Sequence, residues 1–182
     1  MTESVWFIQA LGFLGLAAMV ISFQMKNAKG VLLFLLLSDA LFGFQYLLLG
    51  SVAGMIVLAV SIFRNIIMLL RDRWPVLGWK GWVVIMIIAE VALCAGNIAH
   101  WYDVLPIVGF AAATISFWSK DPQKLRFVNT VLISPVFFIF NLLVGSWGGV
   151  INEIITWTSS VTAYIRYRKK SADEGETETS TK

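Results

Sequence analysis

The tightest constraint on this chain is the way its apolar residues are grouped. They fall into seven runs, at 5–23, 31–49, 53–70, 81–99, 104–118, 127–144 and 150–165, separated by short polar or glycine-containing stretches. A helix rises ~1.5 Å per residue, so about 20 apolar residues cross the ~30 Å hydrocarbon core of a bilayer. The fifth and seventh runs are shorter and reach that length if their flanks stay helical. The runs are continuous and apolar, without the alternation of an outer-membrane barrel strand. Composition agrees: 58% of residues are hydrophobic and 14% charged, with a mean hydropathy of +0.79, more apolar surface than a soluble fold of 182 residues can hide. The expectation is an all-α membrane protein with seven transmembrane helices. The opening "MTESVWF" has no basic n-region and no small-residue cleavage site closes the first run, so that run is expected to be a span rather than a signal peptide.

Charge predicts the orientation. With the N-terminus outside, Lys26, Lys29, Arg71, Arg73, Lys80, Lys120, Lys124, Arg126, Arg166, Arg168, Lys169, Lys170 and Lys182 all fall inside. These are 13 of the 14 basic residues, and Arg64, within the third run, is the other. An even number of spans would not reproduce so one-sided a count, so the N-terminus is predicted out and the C-terminus in. The net charge of +3 then reflects topology, not a nucleic-acid surface, and the lipid bilayer is the expected partner. The tail 171–182, "SADEGETETSTK", is polar and acidic and is expected to be disordered and cytoplasmic. The single Cys94 lies inside the fourth run, which leaves no disulfide framework or thiol metal site and reads as a small apolar core residue.

The chain also repeats itself. "LLLGSVAG" (47–54) returns as "LLVGSWGG" (142–149). At an offset of 94, Gly15 meets Gly109, "ISF" 21–23 meets "ISF" 115–117, and Lys26 meets Lys120. After a one-residue slip to 95, Gly50-Ser51 meets Gly145-Ser146, Gly54 meets Gly149, and Arg71 and Arg73 meet Arg166 and Arg168. Each copy holds three spans, and the fourth span has no counterpart. A tandem copy of three helices would enter the membrane inverted, and one extra helix restores its direction. The predicted organisation is therefore a three-helix bundle over 1–73, a connector with the fourth helix over 74–103, and a second like-oriented bundle over 104–170. The glycine-rich words "GSVAG" and "GSWGG" supply tight hairpins between the second and third helix of each bundle.

A 3+1+3 parallel arrangement resembles the SWEET sugar carriers and the PnuC vitamin-precursor carriers. The local words "LLLGSVAG…FRNIIMLLRDR", "VLPIVGFAAATISFW" and "FNLLVGSWGGVINE" resemble more closely the YgjV family of bacterial inner membrane proteins, over residues 5–168. The most specific positions are Leu105-Pro106 with Gly109, and Asn141 with Gly145-Ser146, Gly148-Gly149 and Glu153. The resemblance implies a SWEET-like fold in the bacterial inner membrane. It does not imply a sugar, because the Pro-Gln that follows the "ISF"-like word in SWEET-type repeats is replaced here by Gln24-Met25 and Trp118-Ser119.

Ionisable groups in hydrocarbon cost at least ~2.5–3.5 kcal/mol, so they face the protein interior or a cavity. Asp39, Arg64, Glu90 and Glu153 lie well within runs. At ~1.5 Å per residue, Asp39 and Arg64 sit at similar depths on neighbouring antiparallel helices and are expected to pair. That pair reads either as a gate or solute anchor, or as a permanent salt bridge. Asp39, Gly43 and Tyr46 share one helix face, Ser134, Phe138 and Asn141 share the equivalent face of the sixth helix, and Thr130 extends it. Ser61 and Asn65 share a face of the third helix, as do their equivalents Thr156 and Ser160 on the seventh. These stripes read as a wet cleft between the bundles or as interhelical glue. Glu153, Trp157 and Ser160 fall at i, i+4 and i+7, a line suited to a cationic or amine-bearing solute; equally, the first two suit an interfacial Glu and an aromatic belt. Glu90 is expected either to carry protons or to be a satisfied carboxyl, and Pro135 to bend the sixth helix where its equivalent Ala40 does not.

His100 is the sole histidine and stands among Trp101, Tyr102 and Asp103, an interfacial loop rather than a metal or haem site. No phosphate loop, nucleophile elbow or metalloprotease motif occurs, so neither a cofactor nor an enzymatic role is expected. The expected function is that of a small-solute carrier whose site is drawn from Asp39, Tyr46, Arg64, Asn65, Asn141, Glu153, Trp157 and Ser160. The alternative is a non-transporting sensor or assembly partner that keeps the fold; the pattern is also compatible with a homodimer. Reporter fusions test the topology: a fusion after Lys120 is expected to be active only for a cytoplasmic reporter, and periplasmic alkaline phosphatase activity there would overturn the seven-span order.

Overall fold

The computed structural model of the chain describes residues 2–25, 28–71, 73–119 and 122–180, and every regular element among them is helical. Lys26, Lys120 and Lys182, counted in the charge pattern above, lie outside the described residues. Helices α1 (Thr2–Gln24), α2 (Ala28–Leu48) and α3 (Val52–Leu70) follow one another with short connections. A 3-10 turn (Pro75–Gly78) leads into α4 (Gly81–Ala95), and a second (Trp101–Asp103) into α5 (Val104–Trp118). Then α6 (Pro122–Val128), a π-helical turn (Asn129–Ile133) and α7 (Ser134–Val144) run on without a break, and α8 (Trp147–Ser180) is the last element.

Among the described residues, four segments are both long and apolar enough to cross a membrane: Ser4–Ser22, Val52–Leu70, Trp101–Trp118 and Arg126–Val144. Leu32–Leu48 and Gly81–Ala95 are apolar but shorter. Leu33, Phe63, Ile88 and Val131 are all more than half exposed, an outer surface suited to lipid chains rather than water.

Three elements differ from the sequence expectation. Helix α4 ends at Ala95, four residues before the end of its apolar run, because Asn97 turns the chain. Its backbone N–H donates to the Cys94 carbonyl at 2.8 Å and its side-chain amide to the Leu93 carbonyl at 3.0 Å, taking up groups the helix end leaves free. Helix α8 continues to Ser180, through residues expected to be disordered; the stretch holds no proline, and extending an existing helix is far easier than starting one. The sixth run is not a plain helix. Pro135 has no N–H for the carbonyl four residues back, and the turn before it widens to π geometry.

The two glycine words share their backbone detail. Gly50 and Gly145 have φ of 85° and 80°, the left-handed region that glycine enters without a Cβ clash. The next residue closes each turn in the same way: Ser51 N–H donates to the Tyr46 carbonyl and Ser146 N–H to the Asn141 carbonyl, both at 2.9 Å. Each serine then caps the following helix, Ser51 Oγ accepting from Gly54 N–H at 3.2 Å and Ser146 Oγ from Gly149 N–H at 3.3 Å.

Packing follows the same pattern. Helix α2 packs between α1 and α3, and α7 packs on α5 and α8. Across the two triplets, α1 packs on α8 and α3 on α5, so the first helix of each meets the third of the other. Helix α4 lies against α3 and α5. Both glycine turns lie at one end of the assembly, because Ser146 Oγ donates to Gln45 Oε1, beside the other turn, at 2.8 Å. At the α1–α8 crossing a Cβ on Gly148 would run into the Gly12 backbone, so the two helices touch main chain to main chain. Two buried clusters fill the interior, Ala53, Val57, Cys94 and Phe110, and Phe42, Tyr46 and Phe140.

These contacts predict opposite outcomes for two glycines. Gly148→Val should separate α1 from α8 and destabilise the protein by about 3 kcal/mol or more, because backbone cannot move aside as a side chain can. Gly96→Ala, at φ −84° with nothing within 4 Å of the added methyl, should be neutral or stabilising by up to ~1 kcal/mol. Thermal unfolding of the two purified variants in one detergent checks both.

Candidate functional site between the two triplets

A cavity of about 240 Å³ lies between the triplets. Asp39, Phe42 and Tyr46 reach it from α2, Ser61 and Arg64 from α3, Phe110 and Phe117 from α5, Phe137 and Asn141 from α7, and Asn152, Glu153 and Thr156 from α8. At the end nearest the glycine turns it is spanned by one hydrogen bond, from the Tyr46 hydroxyl to Asn141 Oδ1 at 2.7 Å. The two residues are 95 apart, which is the repeat offset itself. Each is the other's equivalent under that offset, so the bond joins matching positions of the two triplets. Asn141 is oriented by its amide donating to the Phe137 carbonyl at 2.8 Å, and the Tyr46 ring packs edge-on to Phe140 at 5.2 Å.

Beyond that bond, each triplet fastens the turn of the other. Gln9 on α1 donates to the Gly145 carbonyl at 2.8 Å and accepts from the Trp147 N–H at 3.2 Å. Its counterpart at the offset of 94 is Asp103, which accepts from Ser51 Oγ at 2.9 Å and from the Ala99 and His100 N–H groups at 3.0 and 2.9 Å. His100 is the loop residue expected, its ring stacked on Tyr102 at 4.8 Å. Neither Gln9 nor Asp103 was singled out in the sequence. Their equivalence under the offset that aligns "ISF" with "ISF" was the available signal.

Asp39 and Arg64 are neighbours but make no ion-pair contact; Ser61 and Asn65 stand between them. Asp39 Oδ2 accepts from Ser61 Oγ at 3.4 Å and from Asn65 Nδ2 at 3.1 Å. Arg64 donates from Nη2 to Ser61 Oγ at 3.0 Å and from Nε to Asn65 Oδ1 at 3.4 Å. It also donates to Thr114 Oγ1 on α5 at 3.2 Å, and its guanidinium lies over the rings of Phe110 and Phe117, 4.6 and 5.0 Å from their centres. The direct pair expected from depth alone is thus a bridged one. Depth is set by residue count, whereas contact depends on which way each helix is rotated, and here rotation places two short polar side chains in between. Buried Arg64, 5% exposed, is served by hydroxyl and amide oxygens and by aromatic faces.

The sequence line Glu153–Trp157–Ser160 is broken. Glu153 lines the cavity, its Oε1 accepting from Asn152 Nδ2 at 3.3 Å. Trp157 is 48% exposed and points away, its indole N–H donating at 2.9 Å to the Thr130 carbonyl in the irregular turn. Ser160 is taken by Asn129 Nδ2 at 2.7 Å. Both partners, Thr130 and Asn129, belong to the π-helical turn. Asn65 stands behind Asp39 rather than on the wall. Glu90, on α4, is fully buried, and neither of its oxygens has a hydrogen-bond partner among the described residues.

The Tyr46–Asn141 bond predicts a measurable coupling. Tyr46→Phe and Asn141→Ala should each destabilise, and a double-mutant cycle between them should return about 1 kcal/mol. Additive losses would show that the bond contributes nothing of its own.

No characterised protein and no solved structure matches the chain. A family model described as Imp-YgjV, bacterial inner membrane protein, matches residues 6–171, which takes in both triplets, both glycine turns and every residue of the cavity wall. An all-helical fold with a lipid-suited surface fits that description, and the chain belongs to the YgjV family of bacterial inner membrane proteins.

Proposed function

We propose that this protein is a seven-span carrier of a small polar solute, not an enzyme, with the N-terminus periplasmic and the C-terminus cytoplasmic. In this reading α1–α3 and α5–α8 are two like-oriented bundles of the SWEET type, α4 is the connector, and the bundles rock about their common axis to expose the cavity to each side in turn. The observation that carries the reading is the cavity itself, walled by both triplets and furnished with Asp39, Arg64 and Glu153 in a setting where charge is costly. Two further features support it. The bond between Tyr46 and Asn141 links the triplets across one end of the cavity, and both glycine turns lie at that end, as like-oriented copies require.

A second reading, a membrane sensor or assembly partner, draws on the bridging of Asp39 to Arg64 through Ser61 and Asn65, which leaves those charges partnered without any solute. Transport separates the two. Vesicles containing the purified protein, incubated with a metabolite extract and analysed by mass spectrometry, should accumulate a solute that empty vesicles do not. Asp39→Ala and Asn141→Ala should lower that accumulation about tenfold, the loss expected from removing one charged or one well-oriented hydrogen bond, in protein that remains folded at the assay temperature. Absence of flux for any component would leave the sensor reading standing.

A further inference from the structure

The charges within the apolar runs do not balance. Asp39, Glu90 and Glu153 are acids and Arg64 is the one base among them. Arg64 is already committed: it donates to Ser61, Asn65 and Thr114 and lies over two aromatic rings. Glu90 is within electrostatic reach of the same guanidinium from the α4 side, 0% exposed, with both oxygens lacking a hydrogen-bond donor among the described residues. The two acids on the cavity wall come from different triplets. Asp39 accepts from Ser61 and Asn65 on Oδ2, and Glu153 accepts from Asn152 on Oε1 with the Ser134 hydroxyl also beside it, all neutral donors that leave both carboxylates without a cationic partner in direct contact among the described residues. Both lie within electrostatic reach of the Tyr46 hydroxyl, which places them around one volume. What the interior lacks is positive charge.

We infer that the cavity is a cation site, taking a small organic cation with an ammonium or amidinium head between Asp39 and Glu153. Phe42 and Phe137 line the same wall and supply aromatic surface of the kind such a head favours. An anion would meet two carboxylates there. At about 240 Å³ the space lies below the ~300–1,000 Å³ of sites for drug-sized ligands, so the solute is a metabolite of few heavy atoms. For the transport of that cation the inference rests on the carrier reading; the selectivity of the cavity is tested separately.

The full-length protein in the Cys94→Ala background, with Thr156→Cys or Ala113→Cys on the cavity wall, is labelled with three methanethiosulfonates: the ethylammonium, the ethylsulfonate and the neutral methyl reagent. Rates are divided by those of a free thiol in solution. The cationic reagent should be favoured over the anionic one by about tenfold, as a cleft lined by one sign of charge concentrates its counter-ion. Asp39→Asn and Glu153→Gln should each lower that preference, and Arg64→Gln should raise it. Labelling at both positions with no preference, or with an anionic one, overturns the inference and leaves the carrier reading intact. No labelling by the neutral reagent at either position removes the accessible cavity, and both readings with it.

Discussion

A polar group surrounded by hydrocarbon has to find its partner inside the protein, and the hydrogen bond between Tyr46 and Asn141 shows how this chain meets that demand. Each residue occupies the position in its own triplet that the other occupies in the second. A duplicated membrane protein that kept one residue type at both positions would set like against like at this contact. Here one copy supplies a hydroxyl donor and the other an amide acceptor, so a contact between equivalents becomes a complementary pair. The surrounding packing, Phe42 and Phe140 around Tyr46 and the Phe137 carbonyl under Asn141, holds both partners in place.

The same division of labour runs through the interior. The first triplet carries the fixed charges of the Asp39–Arg64 network and the second carries Glu153 with amides and hydroxyls. The copies have kept their backbone devices, the left-handed glycines and the serine caps, while their side chains have diverged. A turn geometry needed to reverse the chain is common to both copies. The chemistry facing the cavity belongs to each copy alone. Pro135 carries the divergence into the backbone, since its π turn has no parallel in α2.

Much of this was legible in the sequence because membrane crossing and glycine turns leave strong, local marks. Run length located the helices, and the GS words located both hairpins to the residue. Stripe periodicity placed Asp39, Tyr46 and Asn141 on inward faces, the cost of charge in hydrocarbon did the same for Arg64 and Glu153, and all five line the cavity. What periodicity does not contain is the rotation of one helix against the next. For that reason the Asp39–Arg64 pair was expected to be direct, and Trp157 and Ser160 were expected beside Glu153. Side chains that fasten one triplet to the other were missed for a related reason. Gln9 and Asp103 sit near helix starts, where polar residues are ordinary, and only their partners across the interface distinguish them.

Those two fastenings constrain how the halves are able to move. Gln9 grips one turn and Asp103 the other, at the same end of the molecule. A piston-like slide of one half along the bilayer normal would tear both grips at once. In the carrier reading, a tilt that spreads the opposite ends of the helices leaves both in place, whereas opening at the turn end has to release both.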